Sequence, residues 1–107
     1  MALDNIDKID AIGIDKSSGE VIMTITDSWD WSDESVHLIA LQEKVNAYFG
    51  FVENGQIFEE FPKAKGKKIV IDIIGKYSLV ESAKQFISKA SEVAKQLDID
   101  IRFRYIP

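Results

Sequence analysis

Four carboxylates and two indoles share one short run, Asp27-Ser28-Trp29-Asp30-Trp31-Ser32-Asp33-Glu34. Asp27, Asp30, Asp33 and Glu34 offer the oxygen ligands that calcium and magnesium take, but their spacing misses the Asp-x-Asp-x-Asp-Gly loop. Carboxylates beside a helix N-terminus are in any case favoured by its dipole. No metal is therefore expected. The chemistry this segment suits is protein binding: indole faces supply area that a partner can bury, and carboxylates select a positive counterpart. The competing reading makes the rings a lid on the core and the acids a cap on the next helix, since tryptophan is highly buried on average. One indole is expected to be buried and the other exposed.

Other chemistries find little to build on. Ser-His-Asp catalysis needs a base oriented by a carboxylate, and the only histidine, His37, is placed by helical spacing on a polar, solvated face. There is no cysteine, which excludes thiol chemistry and disulfides and fits a reducing cytoplasm. The six glycines never fall into a phosphate-binding pattern. No enzyme activity and no cofactor are expected. A second candidate face comes from strand alternation: Asp72 lies between isoleucines and points the same way as Arg102 and Arg104, which is either a cross-strand ion pair or part of a binding face.

Elements that would hold these residues are readable from periodicity. Residues 6–14 and 20–26 are β-prone and flank the turn Asp15-Lys16-Ser17-Ser18-Gly19, making a hairpin. Ser32 or Asp33 caps a helix near 33–53 whose stripe is Leu38, Leu41, Val45, Tyr48 and Val52, widened by Ile39 and Phe49. His37, Gln42, Glu43, Lys44 and Asn46 then face water, and Asn54-Gly55 ends the helix. Gly50 within it costs about 1 kcal/mol relative to alanine and serves either close packing or a bend. Gln56–Phe61 reads as a short strand, and 68–76, around Ile69-Val70-Ile71-Asp72-Ile73-Ile74, as the central one. Ser78 and Glu81 form a capping box for a helix near 79–97 with Ala83, Phe86, Ile87, Ala90, Ala94 and Leu97 inward and Lys84, Lys89, Glu92 and Lys95 outward. A last strand spans 99–106. The order β-β-α-(β)-β-α-β predicts an α+β fold, two helices on one face of a four- to five-stranded, mostly antiparallel sheet.

The 107 residues, 46% apolar, are enough for a single domain over 1–107. The N-terminus Met1-Ala2-Leu3-Asp4-Asn5 lacks the basic and apolar regions of a secretory signal. No apolar run reaches the roughly 20 residues of a membrane span, so a cytoplasmic protein with no membrane partner is expected. Charge is divided along the chain: residues 1–61 hold 13 acidic and 3 basic side chains, a net of −10, and residues 62–107 hold 5 and 10, a net of +5. An acidic protein gains little from phosphate neutralisation, so nucleic acid is not an expected partner. Lys63, Lys65, Lys67 and Lys68 cluster in one loop, where solubility accounts for them.

Several stretches together resemble a family of small acidic bacterial proteins known as a domain of unknown function. They are Asp7-Lys8-Ile9-Asp10-Ala11-Ile12-Gly13-Ile14-Asp15, Asp30-Trp31-Ser32-Asp33-Glu34 and His37-Leu38-x-x-Leu41-Gln42-Glu43-Lys44-Val45-Asn46-Ala47-Tyr48, followed by Gly55-Gln56-Ile57 and Pro62-x-Ala64-x-Gly66. That resemblance implies membership and carries no activity. In size and charge the chain is also similar to immunity proteins that neutralise nuclease toxins. The expected function is a non-enzymatic protein-binding domain, most concretely an immunity protein presenting Asp27, Trp29, Asp30, Trp31, Asp33 and Glu34 to a basic toxin. The alternative is a homodimeric regulatory or housekeeping domain associating through the open sheet face.

Overall fold

The computed structural model describes residues 9–107. Its elements are β1 (Ala11–Ile14), β2 (Val21–Asp27), α1 (Glu34–Glu53), α2 (Gln56–Glu60), a 3-10 turn at Pro62–Ala64, β3 (Ile69–Gly75), α3 (Glu81–Gln96) and β4 (Ile99–Tyr105). The expected hairpin forms as β1 and β2; residues 6–8 of its first arm lie outside the described residues. Asp15 closes the connecting turn by accepting the Ser17 amide at 2.8 Å.

The four strands lie in sequence order, with β1 antiparallel to β2 and both β2–β3 and β3–β4 parallel. The α+β class holds, but the sheet is mixed rather than mostly antiparallel. The physical reason is connection length. A strand followed by a long helix returns to the same end of the sheet, and its successor runs the same way. Both crossovers step in one direction across the sheet, so the handedness rule sends α1 and α3 to the same face. Val21, Met23, Ile25, Ile69, Ile71, Ile73 and Ile99 point to that face and share one core with Leu41, Val45, Tyr48, Phe49, Ala90 and Ala94.

Three local expectations are corrected. Gln56–Glu60 is a helix, not a strand: Gly55 at φ 82° ends α1, the Asn54 side chain accepts the Gln56 amide at 2.9 Å, and Gln56 donates to Glu60 one turn on at 2.6 Å. Ser78 does not cap α3, which begins at Glu81 with Val80 at the N-cap and no side-chain cap. The inward stripe of α1 is rotated from the expected one, burying His37 and Lys44 and leaving Ile39 55% exposed. The α3 faces match expectation, with Lys84, Lys89, Glu92 and Lys95 all in water.

Candidate functional site: a buried Asp–His pair under two indoles

At the C-terminal end of β2 the chain must turn from strand into helix, and three aspartates spaced by three residues do the turning. Asp27 Oδ1 accepts the Trp29 amide at 3.1 Å. Asp30 Oδ1 accepts both the amide and the hydroxyl of Ser32, at 3.0 and 2.6 Å. Asp33 Oδ1 accepts the Val36 amide at 3.3 Å, which makes it the N-cap of α1. Each carboxylate offers the backbone a local acceptor, the property that favours aspartate in turns and caps. Glu34, in the first turn of α1, accepts the Ser82 hydroxyl at 2.7 Å and so ties α1 to the start of α3.

This turning brings His37 back over the end of β2. Its Nε2 lies 2.5 Å from Asp27 Oδ2, with the two side chains 2% and 4% exposed. Its Nδ1 lies 2.8 Å from the Asp30 carbonyl. A carbonyl only accepts, so Nδ1 carries a proton, and the Nε2–Oδ2 contact holds another between its partners. Trp31 stacks on the imidazole with centroids 3.5 Å apart and planes 17° from parallel, and Trp29 tilts against it at 5.6 Å. Both ring nitrogens are therefore engaged and the ring is flanked by indoles. Neither nitrogen is left to take a proton from a substrate.

Of the six residues expected at a partner surface, Asp30, Asp33 and Glu34 are exposed and Asp27 is interior. The two indoles do not divide into one buried and one exposed; both are half-buried, because both rest on the same imidazole. Ser28, Trp29, Asp30, Ser32, Asp33, Val36 and His37 line an open hollow here. The Ser32 hydroxyl, then its amide, hold the Asp30 carboxyl below the ordinary aspartate value. It is thus fully an anion at neutral pH. Among the described residues no three His, Cys, Asp or Glu side chains converge as a metal site would need.

The sequence reading missed His37. Its signal was present, since His37 lies four residues before Leu41 and so continues the inward row. Lys44, three residues after Leu41 and four before Tyr48, was missed for the same reason. Lys44 is fully buried, with Nζ 3.0 Å from Asp10 Oδ1 and 5.6 Å from the Tyr48 ring centre. The Tyr48 hydroxyl donates to the Thr24 carbonyl at 2.7 Å and accepts the Asp10 amide at 2.9 Å, stitching β1 to β2 beyond the ladder. Burial pushes that phenol above its ordinary value.

On the helix-free face of the sheet, Asp72 meets both expected arginines. Arg104 donates through Nε at 3.1 Å and a terminal nitrogen at 2.6 Å, and Arg102 Nε lies 3.2 Å away. Asp72 is buried under guanidiniums that are themselves 45% and 49% exposed. Burial pushes the Asp72 carboxyl up, but the hydrogen bonds and charges of the two arginines outweigh it and leave it below 3.8.

Among the described residues no helix is long and apolar enough to cross a membrane. Over residues 1–107 the chain matches, and belongs to, the family of unknown function DUF6572. No curated protein and no solved structure matches it.

Proposed function

We infer that this member of a family without an assigned activity is a non-enzymatic protein-binding domain, and most concretely an immunity protein that neutralises a basic, nuclease-type toxin. The observation that carries the reading is the braced pair of indoles beside Asp30, Asp33 and Glu34. Trp29 and Trp31 are held against one buried imidazole whose nitrogens are both engaged. Rigid aromatic anchors lose little side-chain entropy on docking, which is how a few residues come to dominate an interface. Nuclease domains are basic because they bind phosphates, so an inhibitor gains by presenting carboxylates to the same surface. The alternative, a homodimeric regulatory or housekeeping domain, draws support from the helix-free sheet face carrying Ile22, Thr24, Ile74 and the Asp72–arginine group.

The test begins with the partner retained from native cells by the immobilised wild-type chain. Trp31→Ala should weaken that complex by about 2 kcal/mol or more. The captured partner should be a basic nuclease, inhibited by the wild type and less so by the variant. Retention undiminished by Trp29→Ala, Trp31→Ala and joint neutralisation of Asp30, Asp33 and Glu34 would sink the reading.

A further inference from the structure

Among the described residues β4 hydrogen-bonds to β3 alone, so its other edge is an end of the sheet. The Ile106 amide donates to the Gly75 carbonyl at 2.9 Å, which fixes the even-numbered residues as those facing β3. Direction alternates along a strand, so Ile99, Ile101, Phe103 and Tyr105 turn their amides and carbonyls outward. The strand runs seven residues in unbroken register with β3 and contains neither proline nor glycine. Nothing in its backbone blunts it as edge strands are usually blunted.

Charge is the other device that protects an edge, and here its order does the opposite. Reading along the chain, Asp98 and Asp100 precede Arg102 and Arg104, and all four are exposed. Laid antiparallel against a second copy about Ile101, the strand sets Asp100 opposite Arg102 and places Asp98 next to Arg104, each pair occurring twice. On the helix side Ile99 meets Phe103, and Ile101 meets its own equivalent. Sliding the symmetric register one step either way sets Arg102 against Arg102 or Asp100 against Asp100. Directly opposed like charges are destabilising, so one register is selected. The intrachain partners of the acids give way easily: Lys68 reaches Asp98 and Asp100 only at 3.8 and 3.6 Å on an exposed surface. Two guanidiniums sharing the single Asp72 carboxylate keep donors to spare.

We propose that the free edge of β4 pairs antiparallel with β4 of a second copy of this chain, about a two-fold axis at Ile101. Two sheets become one, with the helices of both copies on the same side. About six new backbone hydrogen bonds form, two for each outward-facing pair. This association is independent of the acidic tryptophan surface, so a failure here leaves the partner reading standing, and the reverse.

Sedimentation of the wild type at about 100 μM, a concentration at which even a weak micromolar contact is populated, should give twice the 12.1 kDa chain mass. Asp100→Arg and Arg102→Glu should each weaken the dimer roughly tenfold or more, since each sets like charges face to face. An equimolar mixture of the two variants should restore association, because each reversed charge then meets its opposite. Hydrogen exchange on the wild type avoids substitution altogether: the amides of Ile99, Ile101 and Phe103 should gain protection as concentration rises. A monomer at that concentration overturns the proposal. So does a dimer indifferent to both substitutions, or one in which those three amides exchange freely.

Discussion

Asp27 and His37 depend on each other in a way neither shows alone. With the imidazole removed, a carboxylate 4% exposed keeps, among the described residues, the Trp29 amide as its hydrogen-bond donor. His37→Leu should therefore destabilise the fold by about 3–5 kcal/mol, the scale for breaking a buried pair by removing one member. Asp27→Leu combined with His37→Leu should cost less than the sum of the single changes, and urea unfolding of the four proteins measures the difference. Asp72 makes the complementary prediction in pH. Its folded carboxyl lies below the ordinary 3.8, so its contribution is fully present above the unfolded value and is lost as pH falls through the folded one. The stability gap between wild type and Asp72→Asn should be flat above about pH 5 and close below about pH 4. An unchanged gap at pH 3 would count against the arginine pairing. Asp72 was legible in the sequence because strand period alone places it with Arg102 and Arg104. His37 was not, because a stripe running through Leu38, Leu41 and Val45 leaves it on the polar side, whereas the helix turns the row His37, Leu41, Lys44 and Tyr48 inward.

At the scale of elements, two glycines separate slack from necessity. An added Cβ at Gly50, in the middle of α1, meets nothing within 4 Å, which rules out close packing as its purpose. Gly50→Ala should raise stability by about 1 kcal/mol, read as a higher melting temperature. At Gly75 the same atom would fall 2.6 Å from the Phe103 ring and 3.2 Å from the Tyr77 carbonyl. Gly75→Ala should cost about 1–3 kcal/mol as the ring is displaced, and a neutral result would show that Phe103 moves freely. Both helices and the β3 and β4 strands fell within two residues of their expected ends, because long periodic runs carry a strong signal. Gln56–Phe61 did not, since six residues are too few for periodicity to separate strand from helix, and the deciding contacts come from Asn54 and Glu60. The parallel pairings were equally readable in principle: α1 and α3 as crossovers already imply them.

For the molecule as a whole, the charge division matters more than the net −5. Neutralising Asp30, Asp33 and Glu34 together should chiefly slow association with a basic partner, and the loss should shrink at high salt as the shortened Debye length cuts the reach of exposed charges. An effect confined to dissociation would place the carboxylates inside the contact. The candidate surface was legible as composition, two indoles among acids. Its architecture was not, because the buried imidazole bracing both rings is a tertiary contact. That brace has a spectroscopic consequence. Both tryptophans of the chain lie against His37, so the entire indole fluorescence of the molecule originates at one place. Emission should respond to a protein docking on the acidic segment and remain silent when β4 edges join, a built-in optical label that tells the two associations apart.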